Sequence, residues 1–391
     1  MSGSYPHLRL HLVLGLAFGA VLTTGAVTGA WGSEGRTAQQ SRPAHSASGS
    51  SSDSLAGAGP DAARRWVAQS GDRWAAYYDP QQYAAMAESL NGRYAGVGLW
   101  VTRSPEGVVT ISRVRSDGPA AVAGVSTGER LLTVDGRAVS GLPVTEVVAL
   151  LRGEAPDVGS SVVLGLQRRS LLHQVTLRRQ LLDAEDVMVD HPAAGITRIV
   201  VSAFTVGTGD LVQAAVHQAA VGRAAAGRTT GGGTGGILLD LRGNSGGLLE
   251  ESVETASSFL DGGPVGSYRA DGVPHPLSAE PGGDTTVPLV VLVDGGTMSA
   301  AELLTGALQD RGRAVVVGSR TFGKGAVQQP TPLPGGSVVE RTVGQYTTPD
   351  GRDLDGTGIT PDVLVPPAAG PQDAERTAIT VLDDLSGLGG Q

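Results

Sequence analysis

Residues 291–328 read VLVDGGTMSAAELLTGALQDRGRAVVVGSRTFGKGAVQ. An apolar strand runs into a Gly-Gly turn and a serine, Ser299. A helix follows, then a second apolar strand and a lysine set between glycines, Lys324. This order predicts one right-handed βαβ step, which returns the chain to the neighbouring strand end. Lys324 is the only lysine; the other 28 of the 29 basic residues are arginine. Arginine cannot lose its proton in a protein, whereas a desolvated lysine can and then serves as a base. A lone lysine also survives by chance in an arginine-rich chain, so the count by itself leaves both readings open.

The chain has 391 residues, enough for two or three domains. With 40% hydrophobic and 17% charged residues it is globular with disordered parts. A net charge of −9 and the absence of a basic run argue against nucleic-acid binding. There is no cysteine, which excludes disulfides, thiolate catalysis and cysteine metal sites. The seven histidines are scattered and form no HExxH, so no metal site is expected.

Residues 12–30, LVLGLAFGAVLTTGAVTGA, carry no charge and follow Arg9. They predict that residues 1–31 form a cleaved signal peptide or a membrane anchor, with the C-terminus outside in either case. Residues 32–60 are rich in Ser, Gly and Ala and read as a disordered linker. Residues 61–92 read as a helical segment broken at Asp79 and Pro80. Its Trp66, Trp74, Tyr77, Tyr78 and Met86 supply apolar surface for packing on the core or on a second subunit.

Residues 93–182 form the next unit. Strands are expected at 108–114, 131–134, 161–167 and 174–178, with a hairpin turn at Asp135 and Gly136 and a helix at 144–151. From residue 183 to 385 the pattern returns to α/β alternation, with 386–391 as a tail. The run RTTGGGTGG at 228–236 precedes a strand and lacks a following GK[ST], so it reads as a surface loop and not a phosphate loop. Ile237–Gly247, ILLDLRGNSGG, is an apolar strand ending in a glycine turn, a place where backbone N–H groups meet incoming negative charge. β pieces are expected at 337–342 and 345–347, and a last helix at 373–385.

Ser299, Ala300, Ala301 and Glu302 match a capping box, so one reading makes Ser299 a helix cap. Its place after a buried strand and a Gly-Gly turn supports another: a nucleophile with the Ala300 N–H beside it as an oxyanion donor. A serine hydroxyl needs a base. No histidine lies in a triad motif, and His217 and His275 are candidates only by exclusion. Lys324 lies 25 positions after Ser299, one βαβ step away, in a partly apolar setting that favours the neutral amine. Ser–Lys pairs are a known variant of triad logic.

The order of elements in 93–182 resembles a PDZ domain. That resemblance implies that Gly96, Val97, Gly98 and Leu99 give backbone N–H groups to a peptide's C-terminal carboxylate. Glu129 stands where the family usually has aspartate. The motifs DLRGNSGG at 240–247, TMSAAE at 297–302 and TFGKGAVQ at 321–328 resemble the C-terminal processing peptidases, the tail-specific serine proteases of the S41 type, over residues 61–385. The resemblance implies an α/β fold: a crotonase/ClpP-like core with an inserted PDZ-like β-rich domain and an N-terminal helical segment. It implies a Ser–Lys endopeptidase without cofactor, acting through an acyl-enzyme on protein or peptide substrates with apolar C-termini. Ser299 is then the nucleophile, Lys324 the general base and Gln328 the glutamine that orients the lysine. The backbone of Gly246, with Gly247 as the alternative, and of Ala300 matches the oxyanion hole. Met298 and Ala301 replace two small residues usual beside the nucleophile, and Ser319 stands where an acidic residue is usual.

Two other functions fit parts of the chain. A catalytically dead cell-surface PDZ protein should have lost Ser299, Lys324 or Gln328, and all three are present. A crotonase-like acyl-thioester enzyme needs a basic nucleotide cradle, and none is visible. Other expected partners are a second copy of the chain through the N-terminal helices, and a membrane through residues 12–30 alone.

Overall fold

The apolar runs at 236–240 and 289–293 are buried along their whole length because both faces of their sheet are covered. The computed structural model describes residues 57–388 except 105, 154–157, 226–234 and 271, together with Leu55 and the dipeptide Val13–Leu14. The expected signal or anchor, the linker and the glycine-rich loop therefore fall almost wholly outside the described residues. Among those residues no helix is long and apolar enough to cross a membrane. The chain forms two compact units, one from residues up to Asp79 and from Val187 onward, the other from Pro80–Asp186.

The first unit is built on a six-stranded sheet in the order Val187–Asp190, Ile196–Val201, Gly236–Asp240, Leu289–Val293, Val315–Gly318, Val363–Leu364. The first pair is antiparallel and the remaining neighbours are parallel. Alternate residues divide the two faces. Ile237, Leu239, Val291 and Val293 pack with helices Thr208–Ala225, Leu249–Ser257 and Ala300–Asp310. Leu238, Val290, Leu292 and Val317 pack against Ala378 and Leu382 of the last helix, Pro371–Leu388, which runs into the expected tail.

A second, antiparallel sheet closes the helical face. Its long strand, Val338–Thr347, pairs with Ala326–Pro332 along one edge and with Gly263–Ala270 along part of the other. The two β pieces expected at 337–342 and 345–347 are thus one strand. Gly344 lets it continue: a Cβ there would lie 1.8 Å from the Arg269 carbonyl oxygen. Val13–Leu14 runs antiparallel to both Gly247–Leu248 and Gln328, between them.

The segment 61–92 is not helical throughout. Helix Pro60–Gln69 ends, Gly71 turns with φ 71°, and Ala76–Tyr78 is a strand paired with Val338–Glu340. Aromatic residues sit well on a pleated surface, and a waiting sheet edge prevailed over the helical pattern. Ala63 and Tyr77 pack with Leu55, Leu333 and Val339. Of the two packing partners expected for this segment, the core or a second subunit, the contacts of Ala63, Trp66 and Tyr77 match the first. Helix Pro80–Leu90 belongs to the other unit.

In that unit the sheet order is Leu99–Arg103, Val109–Val114, Arg130–Val134, Ser161–Arg168, Leu171–Arg178. Asp135 and Gly136 both have positive φ, 48° and 79°, as a tight hairpin turn requires. Helix Val144–Arg152 buries Val147 and Leu151 in the core with Ile111, Leu131 and Leu164. Buried Glu129 accepts the Ser126 N–H at 2.9 Å and pairs with Arg168, so it ties its turn down.

Leu382 is fully buried in the second core. Leu382→Ala is expected to cost about 2–5 kcal/mol. Urea unfolding should show a lower midpoint with an unchanged slope.

Candidate active site

Strands Gly236–Asp240, Leu289–Val293 and Val315–Gly318 are parallel neighbours, so their C-terminal ends lie side by side. In open α/β sheets such ends are where sites form. Three turns leave them: Leu241–Gly247, Asp294–Ser299 and Ser319–Gly325.

Side chains and backbone sew the turns together. Asn244 is buried; its amide donates to the Val201 carbonyl at 2.9 Å and its carbonyl accepts the Met298 N–H at 2.8 Å. Asp294 accepts the Gly243 and Gly296 N–H groups, each at 2.9 Å. Asp240 and Arg242 form an ion pair at 2.6 Å that braces the first turn. The Phe322 N–H donates to the Thr297 carbonyl at 3.0 Å, tying the lysine loop to the serine turn.

Ser299 is fully buried and has φ 62°, ψ −119°, a sparsely populated backbone for a residue with a side chain. Its hydroxyl has no hydrogen-bond partner among the described residues. The Glu302 N–H goes instead to the Ser299 carbonyl at 2.9 Å. Ser299 does stand at the N-cap, with Glu302 accepting its N–H as in a capping box, and its hydroxyl is held on a strained strand-to-helix turn. Gly246 abuts this turn with φ 97°; a Cβ on it would lie 2.9 Å from Ser299 Cβ. The Gly246 N–H, however, donates to Asn244 Oδ1 at 2.8 Å. It is engaged there, and Gly246 does not fit the donor role expected of it. The Ala300 N–H opens the helix, where N–H groups lack intrahelical acceptors.

Lys324 is 1% exposed. Burial lowers its amine to about 8, opposed by the negative charges of Glu340, Asp72 and Glu302. Its Nζ lies 5.0 Å from the centre of the Trp74 ring. Gln328 is buried too, but its Nε2 donates to the Trp74 carbonyl at 2.6 Å. That contact, absent from the sequence reading, fixes the glutamine from the 70–79 segment. His217 is exposed on its helix and His275 stacks on Tyr268 at 4.7 Å, so neither is drawn to these turns.

Glu302 is the residue that sequence reasoning undervalued. It is fully buried and its carboxylate accepts four donors: the Ser299 N–H at 2.9 Å, the Lys324 N–H at 2.8 Å, the Gly323 N–H at 2.7 Å and the Thr321 hydroxyl at 2.5 Å. Burial raises its pKa and the four hydrogen bonds pull it back. One side chain thus staples the serine turn to the lysine loop. Tyr346 reinforces the staple, its hydroxyl reaching the Ser299 carbonyl at 2.8 Å and the Lys324 carbonyl. Glu302 was visible in sequence as the fourth residue of the capping box, but its three distant donors were not.

In the inserted unit, Gly98 has φ 73°, and the Val97 and Gly98 carbonyls accept the Ala120 and Arg115 N–H groups at 3.0 and 2.9 Å. Gly96 ends one strand and Leu99 begins the edge strand of the sheet.

A serine on a strained turn above a parallel sheet, in a chain that also carries a small PDZ-like β unit, defines a hydrolase of the PDZ-bearing serine-peptidase class. Residues 198–365 match the family Peptidase family S41, and residues 110–168 match PDZ domain. The chain is 34% identical over 323 residues to the chloroplastic C-terminal processing peptidase of Tetradesmus obliquus, covering 81% of this chain and 69% of that one. It is 30% identical to the carboxy-terminal processing protease of Bacillus subtilis, covering 75% and 60%. Among solved structures, the photosystem II D1 C-terminal processing protease is 31% identical with a TM-score of 0.51, covering 84% and 86%. The chain belongs to peptidase family S41, among the carboxy-terminal processing proteases. It spans between three-fifths and just over two-thirds of the length of these curated relatives.

Glu302→Gln keeps the volume but presents an N–H₂ group to buried N–H donors. It is expected to cost about 1–3 kcal/mol for each donor left unpaired and to abolish peptidase activity. Urea unfolding and a peptide-cleavage assay check the two effects separately.

Proposed function

We propose that this chain is an exported Ser–Lys endopeptidase that captures the C-terminus of a protein substrate and cuts near it. The observation that carries this reading is the Glu302 staple, which holds a strained Ser299, its hydroxyl without a hydrogen-bond partner among the described residues, and the loop of the buried, sole lysine as one body. The Ser299 hydroxyl attacks the scissile carbonyl while neutral Lys324 takes its proton. The Lys324 ammonium returns that proton to the leaving amine, and water then releases the acyl-enzyme by the same route. Gln328, its nitrogen held by the Trp74 carbonyl, serves in this reading to orient the lysine amine through its amide oxygen.

The Ala300 N–H is one oxyanion donor. Since the Gly246 N–H is engaged by Asn244, the second donor is Gly247. The Leu248 N–H and the Gly246 carbonyl both bond to Phe204, so the intervening Gly247 N–H points the other way along an extended chain. The slot that holds Val13–Leu14 supports an extended substrate, paired with Gly247–Leu248 on one side and Gln328 on the other. In the PDZ domain, the Gly96–Leu99 loop receives the substrate carboxylate and the edge strand Leu99–Arg103 pairs with its last residues. Export follows from the uncharged residues 12–30 behind a basic N-terminus.

Ser299→Ala and Lys324→Ala are expected to remove cleavage of unfolded substrates, with a loss of at least about 10²–10⁴ for the base. Lys324→Arg should be as inactive as Lys324→Ala, since arginine stays charged; full activity would overturn the base assignment. Amidating the C-terminus of a peptide substrate should raise KM, as read by mass spectrometry of the cut products. An unchanged KM would overturn carboxylate capture.

A further inference from the structure

Three carboxylates act on the lysine amine, Glu302 and Glu340 buried and Asp72 half-buried, and they are not equally satisfied. Glu302 has four donors. Asp72 has three: the Trp74 N–H at 3.0 Å, the Thr342 N–H at 2.7 Å and the Thr342 hydroxyl at 2.8 Å. Glu340 is 2% exposed, yet among the described residues its Oε1 has no hydrogen-bond partner and its Oε2 has only the Tyr78 hydroxyl, at 3.4 Å. A buried carboxylate so poorly hydrogen-bonded is costly unless a cation compensates it.

The register and the 72–78 segment point to Lys324 as that cation. Across the ladder Gln328 faces Thr342 and Pro330 faces Glu340. Residues directly opposite share a sheet face, as do residues two apart, so Glu340, Thr342 and Gln328 line one face. Each meets the 72–78 segment: Thr342 at Asp72, Gln328 at the Trp74 carbonyl, Glu340 at Tyr78. Trp74 also lies over the Lys324 amine. The charges that favour the ammonium form of Lys324 are those of Glu340, Asp72 and Glu302; the groups acting on Glu340 are Lys324, Tyr78 and Asp72.

We propose that Glu340 is a positioning residue for the base: its carboxylate, held by Tyr78 on the face shared with Gln328, keeps a proton on the Lys324 amine and so sets the pH above which that amine works. Burial and Glu340 act in opposite senses. Burial alone would leave the amine neutral over a wider range, and the carboxylate narrows that range to higher pH. Burial also raises Glu340 itself, to about 7, and the lysine charge pulls it back. The proposal rests on Lys324 being the general base.

Because Lys324 is the only lysine, lysine labelled with ¹³C at Cε gives one resonance whose shift reports the protonation of the amine in the full chain. Wild type and Glu340→Gln are titrated, and kcat/KM for an unfolded substrate is followed over the same pH range. Removing the negative charge should lower the Cε midpoint by about one unit and move the acid limb of kcat/KM down with it. Glu340→Asp, which keeps the carboxylate, should stay nearer the wild-type midpoint. Tyr78→Phe leaves Glu340 less charged and should shift both readouts in the same direction by less, and it serves if Glu340→Gln does not fold. An unchanged Cε midpoint overturns the role of Glu340. A midpoint that moves while the acid limb stays fixed overturns instead the assignment of Lys324 as base.

Discussion

A single buried carboxylate holds the site in register. Glu302 lies where desolvation costs an anion several kcal/mol, and only converging donors offset that cost. Its donors come from both sides of the chemistry: the Ser299 amide from one turn, the Gly323 and Lys324 amides and the Thr321 hydroxyl from the other. In this arrangement Ser299 has positive φ and Gly323 φ 89°, and the amides of both point to the carboxylate. Strain at the serine and charge at the glutamate therefore sustain each other. The sheet beneath sets the spacing by placing three strand ends next to one another.

The three carboxylates near Lys324 divide their work by how well they are hydrogen-bonded. Glu302 is saturated and structural. Asp72 is nearly so, and it fastens the 72–78 segment to the strand Val338–Thr347. Glu340 is left short of donors, so its interaction with the rest of the site is chiefly one of charge. The segment before the inserted domain thereby becomes part of the site, with Trp74 over the lysine and on Gln328, and Tyr78 on Glu340.

The catalytic assignments rested on local signals and on family resemblance. Ser299 and Lys324 follow apolar strands at a βαβ interval, and the structure brings their turns together. Gly246 shows the limit of such signals: its contact with Ser299 fits, but the direction of its N–H depends on Asn244, which no spacing reveals. The 72–78 segment shows the same limit at larger scale. Its tryptophan and tyrosines read as helix packing because helix and strand are locally close in preference. The edge of a strand more than 250 residues later decided between them.

The sequence by itself determined the alternation of apolar strands and helices, the turn chemistry at the strand ends, and the single titratable cation beside a candidate serine. These are properties of neighbouring residues and survive without a fold. Only the tertiary structure decided which amides remain for an oxyanion, which carboxylates are saturated, and that residues 72–78 close over the lysine. Those depend on the direction of hydrogen bonds and on burial between segments far apart in the chain, where a change of φ at one residue redirects a donor and a missing donor leaves a charge to find another partner.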